Sequence, residues 1–214
     1  MLGSLAAFPV RSEFVPDSEL RRIGLFGGTF DPPHVGHLVT AVNVRHALSL
    51  DLVLLVVAHV PWQKEGTRRI TPSVDRLAMV EAAVRDVEGV EASRIEIDRG
   101  GASYTADTLA ELRRIHRSAE LHTIVGDDAA AGLASWARWE EVVAMSRMVV
   151  VDRPGPQVAL APIAPWVRVE VPRLEISSTD LRSRFADGRP LDFLVTPAVL
   201  AVIAERGLYR EDLH

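Results

Sequence analysis

The stretch 51–58 (DLVLLVVA) constrains the fold more than any other part of this chain. A continuous apolar, valine-rich run of this length leaves no face for water and reads as a strand buried on both sides. Strands of that kind belong to parallel sheets with helices packed above and below. The flanking sequence repeats the alternation. The apolar run 23–26 precedes a helical pattern over 36–50, with Leu38, Ala41, Val44 and Leu48 on one side. Thr71-Pro72 reads as the cap of the next helix, whose Leu77, Val80, Val84 and Val87 share a face. Further strands are expected at 94–97, 121–125, 148–151 and 167–171, and helices at 105–116, 129–145, 179–185 and 197–205. The expected architecture is α/β, a doubly wound parallel sheet with ligand loops at the carboxyl ends of its strands.

Three loops follow strands in this scheme: 27–37, 59–71 and 126–128. The first, GGTFDPPHVGH, ends a strand on Gly27 and Gly28 and opens a helix with His34 and His37. Glycines let backbone N–H groups approach a ligand, and a helix start offers unpaired donors and a positive dipole end. Imidazoles three residues apart lie on one helical face and can reach one bound anion. Asp31 reads as a turn residue bonding nearby N–H groups. Late in the chain, Ile176-Ser177-Ser178-Thr179-Asp180-Leu181-Arg182 places hydroxyls at another helix start and an arginine about one turn further on. Capping of that helix and phosphate binding can coexist.

With 214 residues, the chain reads as one domain at 21–214 behind a loose N-terminal extension at 1–20, without the basic start of a signal peptide. The proline-rich 154–165 stretch reads as a connector. A net charge of −5 argues against a nucleic-acid partner, which wants a broad basic field. No run is long enough for a membrane span. The absence of cysteine excludes disulfides and thiolate metal sites and fits a cytoplasmic protein. No third soft ligand accompanies His34 and His37, so no protein-held metal is expected.

The motifs Gly28-Thr29-Phe30-Asp31-Pro32, His34-x-Gly36-His37 and 176–182, about 140 residues apart, resemble the two signatures of the HxGH nucleotidyltransferase superfamily. Tyr104-Thr105-Ala106-Asp107-Thr108-Leu109 and Gly126-Asp127-Asp128, with Trp136 beyond, are similar to bacterial nicotinate mononucleotide adenylyltransferases. The resemblance runs from Arg22 to Tyr209. It implies a Rossmann-like nucleotidyltransferase fold and transfer of an adenylyl group from ATP to nicotinate mononucleotide, with Mg²⁺ carried on the ATP.

The resemblance further implies catalytic roles for His34, His37 and Arg182. ATP would be bound by Gly27, Gly28, Thr29, Phe30, Ser177, Ser178, Thr179 and, at the sugar, Asp128. The acceptor would meet Lys64, Tyr104, Thr105 and the ring of Trp136, while Trp139, three residues on, is expected in the core. Two departures stand out: Pro61-Trp62-Gln63-Lys64 replaces the family's frequent Pro-Pro-His-Lys, and Asp127 replaces a small residue. The alternatives are a sister transferase acting on nicotinamide mononucleotide, phosphopantetheine or a phosphorylated polyol, or a non-catalytic nucleotide-binding module. A homo-oligomer is compatible with the sequence.

Overall fold

The computed structural model describes residues 20–61, 70–152, 159–160, 162–172 and 174–209. Strand β2 (Leu52–Val57) is buried at every position. It pairs in parallel with β1 (Arg22–Gly28) on one side and β3 (Val90–Ser93) on the other. Beyond β1 lie β4 (Glu120–Gly126), β5 (Arg147–Asp152) and β6 (Trp166–Glu170), again all parallel. The six-stranded order is β3-β2-β1-β4-β5-β6. The strand order therefore reverses between β1 and β4, the place where open α/β sheets leave a crevice outside their carboxyl ends.

The unbroken apolar run of β2 serves two cores at once. Val53, Leu55 and Val57 join one cluster with Ala41, Val44, Leu77, Val80, Leu181, Val199 and Ile203. Leu52, Leu54 and Val56 join the other with Ile23, Leu25, Leu109, Leu112, Leu121 and Val142. Each fully buried Val or Leu contributes about 1.5–3 kcal/mol. The first face carries α1 (Val35–Leu48), α2 (Ser73–Val84), α7 (Ser178–Asp187) and α8 (Pro197–Arg206). The second carries α4 (Thr105–Ile115) and α6 (Trp139–Met145). Leu20, the first described residue, already packs into the second cluster. Among the described residues no helix is long and apolar enough to cross a membrane.

Three sequence expectations are corrected. The strand expected at 94–97 is a short helix, α3 (Ile95–Arg99), and the edge strand lies earlier, at β3. Gly89, at φ 67°, turns the chain so that its carbonyl meets the Val53 N–H at 2.9 Å and pairing begins at once. Arg94 then bonds Asp98 at 2.9 Å, four residues on, which favours a helical turn over continued pairing. The single helix expected over 129–145 is three pieces: α5 (Asp127–Ala131), a 3₁₀ turn (Leu133–Ser135) and α6. Gly132 and the left-handed Arg138, φ 56°, interrupt it, although the apolar spacing continues across the breaks. Helix α2 begins at Ser73 with Pro72 as its cap residue, so Thr71 does not cap it.

One polar side chain ties the top of the sheet together. Arg76 is 1% exposed. Its guanidinium donates to the carbonyls of Thr71 at 2.7 Å, Thr29 at 2.8 Å and His59 at 3.2 Å. It thus joins the loops after β1 and β2 to the entry of α2. Losing a donor to buried carbonyls costs about 1–3 kcal/mol for each orphaned group. Arg76→Met is therefore expected to lower the unfolding free energy by at least about 2 kcal/mol. Urea titration checks this, and a loss below about 1 kcal/mol would contradict the bonding scheme.

Candidate active site

Two cavities open at the carboxyl ends of the strands and share Phe26, Gly27, Gly28, Thr29 and Gly126. They lie to either side of the β1 terminus, at the reversal of strand order. One has a volume of about 560 Å³ and is lined by the 27–37 turn, His34, His37 and the start of α7, including Arg182. The other, about 320 Å³, is lined by Glu96, Ser103, Tyr104, Thr105, Trp136 and Ala137 among others.

The glycines of the turn have separable duties. A Cβ at Gly28 would meet the Phe30 ring at 2.7 Å, and one at Gly36 would meet the His34 ring at 3.0 Å. Those two make room for neighbouring side chains. A Cβ at Gly126 would meet open space and one at Gly27 only an ordinary contact with Leu25 Cδ2 at 3.9 Å, and both residues line both cavities. Phe30 itself is left-handed, φ 51°, and 2% exposed. Its preceding carbonyl, Thr29 O, is held by Arg76. The carbonyl and N–H of one trans peptide point opposite ways, so the Phe30 N–H is turned away from the guanidinium.

His34 and His37 stack with ring centroids 3.7 Å apart and an interplanar angle of 29°. His34 is the cap residue of α1 and 8% exposed. His37 Nδ1 accepts the His34 backbone N–H at 3.1 Å. A neutral His37 therefore carries its proton on Nε2, where it can donate to a ligand. The Phe30 and His37 rings meet edge to face, centroids 4.9 Å apart at 77°, which fixes the other side. Capping the helix and presenting a donor are thus combined in one imidazole.

The late motif meets the early one directly. Ser178 Oγ donates to the Pro32 carbonyl at 2.8 Å, and Arg182 Nη1 donates to the Asp31 carbonyl at 2.7 Å. Arg182 Nη2 donates to Thr179 Oγ1 at 3.1 Å. Ser177 is the cap of α7, its hydroxyl accepting the Asp180 N–H at 3.1 Å. Asp31 bonds far from its own turn. Its carboxylate, on a residue 1% exposed, accepts the Tyr209 hydroxyl at 2.7 Å and the Thr71 N–H at 3.5 Å. Burial, and then the Asp31 carboxylate beside it, push the Tyr209 phenol well above its ordinary pKa, so it stays a donor.

Around the smaller cavity, Tyr104 caps α4 and Thr105 opens it. The loop after β2 is pinned to this turn by Ser103, whose N–H donates to Val60 O at 3.1 Å and whose hydroxyl accepts the His59 N–H at 2.8 Å. Trp136 ends the 3₁₀ turn in extended backbone and lines the cavity. Trp139 opens α6 and lines neither cavity; like Trp136, it packs against the second core. The two tryptophans therefore stand on different elements, not one helical face. Asp128 is exposed on α5 and lines neither cavity, as does the half-buried Asp127. Lys64 lies outside the described residues. Sequence reasoning missed Arg76, Tyr209, Glu96 and Ser103. Arg76 had a signal, a charge set beside the apolar face of α2, whereas Tyr209 had none. No group of three or more His, Cys, Asp or Glu able to hold a metal occurs among the described residues.

The comparisons with known proteins agree with this architecture. Residues 25–184 match the cytidylyltransferase-like family. A protein of Mycolicibacterium vanbaalenii named Probable nicotinate-nucleotide adenylyltransferase is 42% identical over 201 residues, covering 90% of this chain and 94% of that one. One of the same name from Saccharopolyspora erythraea is 43% identical over 195 residues, covering 90% and 92%. Among solved structures, the Plasmodium falciparum nicotinic acid mononucleotide adenylyltransferase complexed with NaAD superposes with a TM-score of 0.73 at 17% identity. It covers 91% of this chain and 98% of that one. A second structure of that enzyme, complexed with APC, gives 0.71 at 17% identity over the same shares. At that identity the structural likeness carries the fold alone. The sequence matches decide membership: this chain belongs to the cytidylyltransferase-like family, among the nicotinate-nucleotide adenylyltransferases.

Proposed function

We propose that the chain transfers the adenylyl group of ATP to nicotinate mononucleotide, releasing pyrophosphate and forming nicotinate adenine dinucleotide. The observation that carries this reading is the pair of cavities meeting at Gly27–Thr29 and Gly126. One has imidazoles, hydroxyls and a guanidinium suited to a triphosphate. The other has an aromatic wall and a helix start suited to a flat cationic ring bearing a carboxylate.

The acceptor's 5′-phosphate oxygen attacks the α-phosphorus in line, and the bond from that phosphorus to the bridging oxygen breaks as pyrophosphate departs. A phosphate nucleophile is already ionised near neutral pH and needs no general base. His37 Nε2–H and His34 act on charge that builds on the bridging oxygen and the leaving group. The Gly27, Gly28 and Phe30 backbone and Thr29 hold the phosphates. Ser177, Ser178 and Thr179 supply hydroxyls and amides at the start of α7, and Arg182 couples the β- and γ-phosphates to the Asp31 carbonyl it already holds. Asp128 meets the nucleotide sugar from the rim. Thr105 presents its amide to the nicotinate carboxylate, Tyr104 forms the wall beside it, and Trp136 stacks on the ring. Lys64 serves the acceptor phosphate. Mg²⁺ carried mainly by the phosphate oxygens of ATP would supply charge neutralisation there, beside Arg182 and the hydroxyls of Ser178 and Thr179. The reaction takes place in the cytoplasm.

A pyrophosphate-release assay with ATP, Mg²⁺ and a panel of acceptors tests the reading. Turnover is expected with nicotinate mononucleotide, and turnover only with phosphopantetheine or a phosphorylated polyol would replace it with a sister activity. His34→Ala and His37→Ala are each expected to lower kcat by about a hundredfold, as loss of a transition-state donor costs about 3 kcal/mol. Near-normal kcat in both would leave them as helix caps alone. Trp136→Ala is expected to raise KM for nicotinate mononucleotide about tenfold and spare KM for ATP, whereas Trp139→Ala lowers Tm without choosing between substrates. A selective effect at Trp139 instead would mean that the aromatic platform has been misplaced.

A further inference from the structure

The acceptor-side cavity poses an electrostatic problem. Its described lining contains the carboxylate of Glu96 and no lysine or arginine, yet the reading above places an anionic acceptor there. A second carboxylate, Asp107, stands in the first turn of α4, two residues beyond Thr105 of the cavity wall. A negative charge in that turn opposes the positive helix end that an incoming carboxylate would use.

Each carboxylate is countered by an arginine set outside the cavity. Arg99 Nη2 lies 3.9 Å from Glu96 Oε1, which also accepts the Thr108 hydroxyl at 2.6 Å. Arg138 Nη2 donates to Asp107 Oδ1 at 2.6 Å. Arg138 directly follows Trp136 and Ala137, which form the facing wall. Its carbonyl accepts the Glu141 N–H at 3.0 Å to start α6, and its left-handed backbone turns the chain between the wall and that helix. Its other arm, Nη1, lies 3.7 Å from Glu141 Oε2. The side chains of Arg138 and Asp107 are 42% and 38% exposed. A pair that open to water adds little to folding, and α4 and α6 are already joined through Leu109, Leu112 and Val142. What the pair does change is the charge at the end of α4.

We infer that Arg138, by neutralising Asp107 in the first turn of α4, is a specificity-determining residue that lets this cavity take an acceptor ring bearing a carboxylate in preference to a neutral carboxamide. The inference rests on the acceptor assignment of the proposed function. Without Arg138 the first turn of α4, behind the wall residue Thr105, carries an uncompensated Asp107, which repels nicotinate and is indifferent to nicotinamide.

The test measures KM for nicotinate mononucleotide and, by competition, Ki for nicotinamide mononucleotide in wild type, Arg138→Met, Asp107→Asn and the double variant. Arg138→Met is expected to raise the ratio of KM to Ki about fivefold at low salt, with the effect shrinking at high salt as the charge is screened. Asp107→Asn is expected to leave that ratio at or below the wild-type value. The double variant has neither charge nor bridge and should return within about twofold of wild type. Equal loss of both ligands in Arg138→Met, or a double variant as impaired as Arg138→Met, would show a mechanical clamp and overturn the inference. Wild-type enzyme releasing no pyrophosphate with nicotinate mononucleotide would overturn the acceptor assignment itself. Normal wild-type turnover with an unmoved ratio would overturn only the role of Arg138.

Discussion

Three carbonyl groups of the turn at residues 29–32 are held by donors remote in sequence. Arg76 holds Thr29, Arg182 holds Asp31 and Ser178 holds Pro32. Tyr209 grips the Asp31 carboxylate from near the end of the described chain. A turn that must leave its amides for a ligand cannot satisfy its own carbonyls by local pairing, so the rest of the fold does it. Buried carbonyls left without donors would each cost about 1–3 kcal/mol. The shape of the phosphate-side cavity follows from this arrangement, because the donors arrive from α2, α7 and the segment after α8.

That dependence explains why the two signature motifs function as one object although 146 residues separate Ser178 from Pro32. Arg182 and Ser178 touch the catalytic turn as well as standing beside the phosphate cavity. The same side chains thus line the cavity and hold the histidine-bearing segment. The histidines are rigidified in turn by stacking on each other and by the Phe30 edge. Preorganisation of this kind lets donors meet developing charge without moving at the moment of reaction.

The acceptor side is built differently. Its walls come from a helix start and from a loop broken out of what the apolar spacing presented as one long helix. Between Gly132 and the left-handed Arg138, Trp136 takes extended backbone and lines the cavity. A periodic pattern records which residues are apolar, not whether the backbone stays helical between them. The same limit applies to residues 90–99, where alternation fitted a strand four residues too late and the Arg94–Asp98 pair favoured a helix. Selectivity for the acceptor's charge then falls to pairs such as Asp107–Arg138 that no spacing rule would single out.

The amino-acid sequence by itself determined the parallel α/β class, because only a sheet covered on both faces can bury the run at 52–57. It also marked the residues that line the larger cavity, since the glycines, the paired histidines and the Ser-Ser-Thr helix start sit in local elements whose geometry follows from short-range rules. Tertiary structure alone decided who supports that chemistry. Arg76 and Tyr209 act through contacts across 47 and 178 residues of sequence, and such contacts depend on how layers pack, not on any local period. It likewise decided that the two tryptophans stand on different elements, because Gly132 and the left-handed Arg138 break the helix while leaving the hydrophobic pattern unchanged.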